Sequence, residues 1–162
     1  MRALVQRVER ASVTVTTGAD AARGGQASEG PGGRSVVGSI GRGLCVLVGV
    51  THDDDAPRAI KLAERIWHVR IMADDDGVMN RSVAETTREV LVISQFTLYA
   101  DTSRGRRPSW LAAARPEQAE PLVQAVIDEL VRLGASVATG RFRTDMAVEL
   151  VNDGPVTIML EV

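Results

Sequence analysis

The chain has 162 residues and a mass of 17.3 kDa, which favours a single domain over 1–162. Hydrophobic residues make up 44% and charged residues 25%, a balance typical of a folded protein. The net charge of −2 excludes a histone-like grip on nucleic acid with the whole surface, although a local basic patch remains possible. The N-terminus has no secretory signal pattern, and no segment reaches the ~18 apolar residues of a membrane span. We therefore expect a soluble, cytoplasmic protein.

The first part of the chain is predicted to contain strands around a loop. Residues 2–8 and 11–16 are short β-branched runs, which predict a pair of strands. Segment 17–35 is rich in Gly and Ala and has nothing large to bury, so we expect a flexible surface insertion, with a binding lid as the alternative. The apolar run 43–50 predicts a strand buried on both faces, and it contains the single cysteine, Cys45.

A first helix is predicted after this strand. The segment 53–57, Asp-Asp-Asp-Ala-Pro, has the acidic cap and early proline of a helix start. Four apolar side chains then recur at helical spacing and predict one buried face: Ile60, Ala63, Ile66 and Trp67. A short strand at 69–72 and an acidic turn at 74–77 are expected to follow.

The second half of the chain contains the strongest strand signal, at 89–98, and a second helix over 116–133 that ends at Gly134. Three β segments close the chain, at 136–140, 146–151 and 156–162, with a turn at 152–155. About seven strands and two helices, in an order that does not alternate, predict an α+β fold with mostly antiparallel pairing.

Metal and cofactor sites have no support in the sequence. Neither His52 nor His68 has a cysteine, histidine or glutamate at metal-ligand spacing. The acidic triplets 53–55 and 74–76 lack the spacing of a calcium loop, and no phosphate-binding loop or Gly-x-Ser-x-Gly elbow is present. We expect neither a metal nor a cofactor.

Polar residues at the end of the 89–98 strand are the first candidates for chemistry. A continuous strand would place Ser94 and Phe96 on one face and Gln95 and Thr97 on the other. These side chains either satisfy backbone groups at the end of the strand or contribute to a site.

Two further segments have an ordinary and a functional interpretation. Gly154-Pro155 is explained by a turn, although it follows the polar pair Asn152-Asp153. Arg104, Arg106 and Arg107 form either a solvated loop or a phosphate contact.

Taken together, these pieces resemble the D-aminoacyl-tRNA deacylase family, also called D-tyrosyl-tRNA deacylases. The resemblance covers nearly the whole chain except 17–35. Its strongest motifs are Ser94-Gln95-Phe96-Thr97-Leu98, Arg104-Gly105-Arg106-Arg107-Pro108-Ser109-Trp110 and Asn152-Asp153-Gly154-Pro155-Val156-Thr157. Supporting segments are Gln6-Arg7-Val8, 11–15, 43–50, Met79-Asn80, Gly140-Arg141-Phe142 and Asp145-Met146.

The resemblance implies a homodimeric editing enzyme with a barrel-like sheet and two helices packed on one side. Its substrate would be the 3′ end of tRNA esterified with a D-amino acid or, on tRNA-Ala, with glycine. Gly154 and Pro155 match a cis dipeptide that enters the partner's site and excludes an L side chain with its backbone oxygens.

The resemblance also implies the catalytic groups. Water attacks with help from the 2′-hydroxyl of the ribose, while main-chain N–H groups around Gln95, Phe96 and Thr97, in the motif that Ser94 opens, stabilise the oxyanion. Secondary site candidates are Arg7, Met146, Asn152 and Arg107. Two alternatives remain: an esterase with Thr97 as nucleophile, which would need a base, and a tRNA-binding dimer without activity.

Three positions depart from the family pattern. Arg143 and Thr144 stand where small residues are usual, and Trp110 replaces the customary Phe. We expect Trp110 to keep an aromatic contact, and Arg143 and Thr144 to affect local substrate preference, with Arg143 altering the pocket rim or strengthening the tRNA contact.

Overall fold

Two long antiparallel strands, β1 (Arg2–Thr16) and β8 (Met146–Glu161), pair along almost their whole length. The computed structural model describes residues 1–16, 33–103 and 105–162. The C-terminal half of β1 also pairs with β2 (Arg34–Ile40), and its N-terminal half pairs with β3 (Gly43–Gly49), both antiparallel. β1 is therefore the common partner of three other strands.

Parallel pairing extends the sheet beyond β3. β6 (Glu89–Ser94) lies beside β3, and β7 (Ser136–Thr139) lies beside β6, so the order is β2-β1-β3-β6-β7. Helix α1 (Ala56–His68) lies in the connection to β6 and helix α2 (Pro116–Arg132) in the connection to β7, because parallel neighbours require a crossover. The predicted α+β class is confirmed, but these two parallel pairs were not predicted.

The sheet curves until its two ends nearly meet. A Cβ atom built on Gly38 of β2 would lie 2.4 Å from the backbone oxygen of Thr139 in β7. Such close backbone approach leaves no room for a side chain at position 38. The barrel-like sheet implied by the family resemblance is therefore confirmed.

A small hairpin lies outside the main sheet, in the connection between α1 and β6. It consists of β4 (Met72–Ala73) and β5 (Met79–Arg81), so the strand predicted at 69–72 is wrong except at Met72. The Asp74 carboxylate accepts hydrogen bonds from the Val78 N–H and the Asn80 side chain, which closes the predicted turn and lowers the pKa of Asp74.

The hydrophobic core lies on both faces of β3 and β6, as predicted for 43–50. One cluster fills the space between the sheet and the helices, and its largest fully buried members are Met1, Leu44, Leu62, Ile66 and Leu130. The other lies inside the curved sheet and contains Val8, Ala11, Val13, Ile40, Cys45, Leu91 and Ile93.

Helix α1 begins where the sequence predicted. The Asp55 carboxylate accepts a hydrogen bond from the Arg58 N–H at 3.0 Å, and Pro57 lies in the first turn. The predicted apolar face was wrong at Ile60, which is 42% exposed, whereas Ala59 and Leu62 are fully buried. Ala63, Ile66 and Trp67 are buried as predicted, so the stripe that faces the core differs from the predicted one by the loss of Ile60 and the addition of Ala59 and Leu62.

Two predicted breaks in the strands were wrong. The segments 2–8 and 11–16 form one strand with a bulge, because Arg10 pairs with Val151 of β8 and only Glu9 is left without a partner in the strand register. The segments 146–151 and 156–162 likewise form the single strand β8. The expected turn at 152–155 is instead a bulge between two paired stretches of β8.

The predicted insertion at 17–35 extends too far at its C-terminal end, since Arg34 and Ser35 belong to β2. Residues 17–32 lie outside the described residues, and the insertion is otherwise untested. None of the helices in the described part is long and apolar enough to cross a membrane.

Cys45 is expected to resist alkylation in the native protein. Its side chain is buried in β3, and burial raises the pKa of the Cys45 thiol to about 11. At pH 8 the reactive thiolate is therefore scarce as well as inaccessible. Reaction with a chromogenic disulfide should be slow at pH 8 and complete within seconds after unfolding in guanidinium; rapid native reaction would contradict the buried placement.

Candidate active site

A cavity of about 630 Å³ opens where the parallel strands β3 and β6 end. Ligands in α/β sheets commonly bind at this carboxyl edge, because loops rather than paired strands surround the space there. The cavity-lining residues come from four stretches of the chain: 48–50, 93–96, 110–123 and 142–148. They include the predicted site residues Ser94, Gln95, Phe96 and Met146.

The strand that was predicted over 89–98 ends at Ser94. The backbone of Gln95 leaves the strand with φ −144° and ψ 83°, and a 3₁₀ helix follows at Phe96–Tyr99. The predicted alternation of faces is therefore wrong beyond Ser94, because the period of two ends with the strand. This break places the motif at the mouth of the cavity rather than along the sheet.

The 3₁₀ helix leaves two backbone donors unused. The Gln95 N–H donates to the Val48 oxygen at 2.7 Å, and the first helical hydrogen bond runs from the Leu98 N–H to the Gln95 oxygen. The N–H groups of Phe96 and Thr97 precede that bond, as at any helix start, and donate to nothing in the part of the chain that the structure describes. The backbone N–H group of Gln95 is thus bonded to β3, whereas the backbone N–H groups of Phe96 and Thr97 are available to a ligand.

The Thr97 hydroxyl accepts a hydrogen bond from the side-chain amide of Gln95 and is not a cavity-lining group. An amide cannot remove a proton from a hydroxyl, and Thr97 Oγ1 has no other side-chain partner among the described residues. Among the described residues the side chain of Thr97 therefore contacts Gln95 in the turn and has no base as a partner.

Close packing holds the 3₁₀ helix against the sheet. A Cβ atom at Gly49 would lie 3.2 Å from the Gln95 oxygen and 3.1 Å from Leu98 Cβ, so a side chain there would push the helix away from β3 by a few tenths of an ångström. From the other side, the Arg2 guanidinium donates to the Leu98 oxygen at 3.3 Å and lies 4.6 Å from the centre of the Tyr99 ring.

Another wall of the cavity is formed by the turn that precedes β8 and by the start of β8. It contributes Phe142, Arg143 and Met146 to the lining. Gly140 lets Met146 approach, since a Cβ atom there would lie 2.7 Å from the Met146 sulfur. Arg143 adopts the left-handed backbone conformation, with φ +60°, and its side chain is exposed.

The Gly154-Pro155 bulge lies elsewhere on the surface of its own subunit. The peptide bond between these residues is cis, both residues are exposed, and neither is a cavity-lining residue. The bulge projects because β8 has four residues between Asn152 and Thr157 where β1 has only Arg7.

Arg7 and Asn152 hold this bulge in place. The Arg7 guanidinium contacts the Asp153 carboxylate at 3.0 Å and donates to the backbone oxygens of Asp153 and Ile71 at 3.2 and 2.7 Å. The Asn152 amide donates to the backbone oxygens of Arg7 and Val156 at 2.9 and 3.0 Å. These two predicted candidates therefore contact the bulge and not the cavity.

The basic loop is placed beside the cavity without lining it. Arg107 is exposed, and Arg104 lies outside the described residues. The loop leads into Trp110, whose ring contacts that of Phe96 edge to face, with centroids 5.8 Å apart. Both aromatic residues line the cavity.

Sequence reasoning missed the wall formed by the start of α2. Ala113, Ala114, Pro116 and Ala119 line the cavity, and their small side chains leave its space open. A cluster of alanines before a proline-started helix is the only signal in the sequence, and it is equally typical of an ordinary helix.

Known proteins match this chain along its whole length. A family model described as D-Tyr-tRNA(Tyr) deacylase matches residues 4–161. The D-aminoacyl-tRNA deacylase of Symbiobacterium thermophilum is 50% identical, over 99% of this chain and 95% of its own length, and that of Mycolicibacterium smegmatis is 52% identical, over 99% of both.

Solved structures match as well. The c-Myc DNA unwinding element binding protein has a TM-score of 0.85 at 34% identity and covers 100% of this chain and 99% of its own. A probable eukaryotic D-amino acid tRNA deacylase has a TM-score of 0.77 at 14% identity over 99% and 98% of the two chains, which supports the fold. The chain therefore belongs to the D-aminoacyl-tRNA deacylase family, hydrolases that act on the ester bond of D-aminoacyl-tRNA.

Proposed function

We propose that the cavity hydrolyses D-aminoacyl-tRNA through main-chain groups, with no protein nucleophile. The observation that supports this most directly is the pair of unused N–H groups of Phe96 and Thr97 at the cavity mouth. Water attacks the ester carbonyl with assistance from the 2′-hydroxyl of the terminal ribose, and the two N–H groups stabilise the oxyanion. The bond between the carbonyl carbon and the ribose 3′-oxygen then breaks, and the 3′-oxygen takes up the proton that the water gives up, which releases the D-amino acid and the tRNA. Fixed donors of this kind contribute ~3 kcal/mol each to transition-state stabilisation.

The chirality of the substrate is proposed to be selected by a second copy of the chain. Gly154 and Pro155 are exposed and do not line the cavity of their own subunit. If their backbone oxygens exclude an L side chain, they must do so in the cavity of a partner. A symmetric homodimer satisfies this requirement, because an isologous contact between its two subunits would place the bulge of each subunit in the cavity of the other.

Glycine is a second proposed substrate, on tRNA-Ala. A steric wall rejects a side chain on the L side of the α-carbon, and glycine has a side chain on neither side. The same geometry that admits D-amino acids therefore admits glycine. We propose that this editing takes place in the cytoplasm, where translation uses aminoacyl-tRNA.

The direct test is hydrolysis of D-tyrosyl-tRNA and L-tyrosyl-tRNA by the purified protein, with and without a chelator. We expect rapid release from the D ester only, at the same rate in both buffers. Release from both esters would contradict the chiral wall, and loss of activity with the chelator would contradict the main-chain mechanism. Binding of tRNA with no release from either ester would favour the alternative of a tRNA-binding dimer.

Substitution of Thr97 by alanine separates the main-chain mechanism from the esterase alternative. We expect the Thr97→Ala enzyme to keep kcat within about tenfold of the original, because the N–H group remains and only the hydroxyl that braces Gln95 is lost. Thr97→Ser should be closer still. A fall of more than a thousandfold in Thr97→Ala, with an acyl-enzyme trapped on the original protein, would establish Thr97 as the nucleophile.

A further inference from the structure

We propose that the mouth of the cavity binds the single-stranded RNA that continues from the esterified nucleotide, with Trp110 stacking on a base and Arg143 binding a phosphate. This inference rests on the proposed function and extends it from the ester to the nucleotides that precede it in the RNA. Trp110 and Arg143 are positioning residues here, since neither touches the reacting atoms.

The aromatic side of the mouth is unusually exposed. Phe96 and Trp110 have exposed fractions of 57% and 40%, and their planes meet at 67°. An edge-to-face pair leaves ring faces uncovered by either partner, and those faces are available to a base. Stacking of a base on such a ring is favourable and tolerates any base, since every base has a π face.

The mouth also contains an arginine side chain that has no partner among the described residues. Arg143 is exposed, lines the cavity and has no ion pair or hydrogen bond in the part of the chain that the structure describes. Its backbone adopts the left-handed conformation, which is unfavourable for a residue other than glycine. Asp145 is the other charged residue among the described lining residues, so removing Arg143 would leave the mouth acidic.

Positive charge continues beyond Trp110. The backbone groups of Asp101 and Ser109 exchange two hydrogen bonds, at 2.7 and 2.9 Å, which close the base of the loop that carries Arg106 and Arg107. Both arginines are exposed. A strand that leaves the cavity over Trp110 therefore meets further phosphate-binding groups, although the protein as a whole has a net charge of −2.

The exposed residues Phe96, Trp110 and Arg143 form an aromatic and cationic rim around the mouth of the cavity. Such a rim fits single-stranded RNA better than a duplex. Stacking requires bases that are free of a complementary strand, and the tRNA acceptor end supplies such bases next to the esterified nucleotide. A second copy of the chain is the competing occupant of the same rim. The two differ in a measurable way, because only RNA binding depends on phosphates and salt.

The test compares two substrates, D-tyrosyl-tRNA and D-tyrosyl-adenosine, which lacks every preceding nucleotide. The variants are Trp110→Ala and Arg143→Gly, the latter chosen because glycine accepts a positive φ. Arg143→Lys keeps the charge, and Arg42→Ala removes an exposed arginine that precedes β3, at the opposite end of the strand from the cavity.

We expect Trp110→Ala and Arg143→Gly each to raise KM for D-tyrosyl-tRNA by about tenfold, and to affect D-tyrosyl-adenosine several times less. Arg143→Gly should also reduce the salt dependence of binding to an RNA tetranucleotide ending in CCA by about 0.7 in log–log slope. Arg143→Lys should restore this slope, and Arg42→Ala should leave it unchanged.

Equal losses on both substrates, or an unchanged salt slope in Arg143→Gly, would overturn the proposal. So would dissociation of the native oligomer by Trp110→Ala, which would identify the rim as an interface between copies. The tetranucleotide measurement needs no turnover. If the original protein binds it through these residues but cleaves neither ester, the proposed reaction fails while the RNA rim stands.

Discussion

Replacement of Asp54 by alanine is expected to lower the free energy of unfolding by about 3–5 kcal/mol, the typical effect of removing one member of a buried ion pair. The Asp54 carboxylate contacts the N-terminal ammonium of Met1 at 2.5 Å, and the side chain and the ammonium are both fully inaccessible to water. The second carboxylate oxygen accepts a hydrogen bond from the Thr51 N–H at 2.7 Å.

The size of this effect follows from what alanine leaves behind. The ammonium would keep one backbone acceptor, the Val162 oxygen at 3.0 Å, but would lose its counter-charge inside the core. Asp54 also fixes the start of α1, since Arg58 in its first turn reaches the same carboxylate at 3.4 Å. The loss therefore affects the N-terminus, the C-terminus and the first helix together.

Thermal and urea unfolding of Asp54→Ala provide the measurement, and we expect a fall in Tm of roughly 10 °C. Asp53→Ala is the matched control, because that neighbouring carboxylate is exposed and should change stability by less than about 0.5 kcal/mol. Equal stability of the two variants would show that the buried pair contributes nothing.

Replacement of Gly154 by alanine is expected to reduce deacylation of D-tyrosyl-tRNA by about a hundredfold, as displacements near 1 Å at an active site typically do. An alanine Cβ would lie 2.5 Å from the side-chain oxygen of Asn152. That amide donates to the Arg7 and Val156 oxygens, so it cannot move away without releasing the bulge. Stability should fall by about 1–3 kcal/mol, the usual contribution of the two hydrogen bonds that Asn152 would release.

The control is Gly41→Ala, where the new Cβ atom would meet only the Glu89 side chain, at an ordinary 3.6 Å. Steady-state hydrolysis of the D and L esters is the measurement. Full activity and full chiral selectivity in Gly154→Ala would remove the bulge from the proposed mechanism.

Mixing two defective proteins tests whether the bulge acts across subunits. Ala113→Phe places a large side chain in the cavity but leaves the bulge intact. Gly154→Ala disturbs the bulge but leaves the cavity of its own subunit intact. After exchange of subunits, mixed dimers contain one site with both parts intact, and about a quarter of the original activity should return. No recovery, with subunit exchange confirmed, would place the bulge in its own subunit's function.

The sequence by itself determined the class of fold, the positions of both helices and the family of the chain. These features depend on local chemistry: Asp55 and Pro57 start α1, and the apolar run of β3 must be buried wherever it lies. The motifs at 94–98 and 152–157 are also local in sequence, and they were sufficient to indicate a deacylase before any geometry was known.

Only the tertiary structure decided where those motifs lie relative to one another. The strand at 89–98 looked continuous because its residues suit a strand, but pairing with β3 ends at Ser94 and packing on Gly49 turns the chain into a 3₁₀ helix. The pair 154–155 looked like a hairpin turn because Gly-Pro suits one. Pairing of β8 with β1 on both sides makes it a bulge instead, since contacts from residues distant in sequence outweigh the preference of four residues.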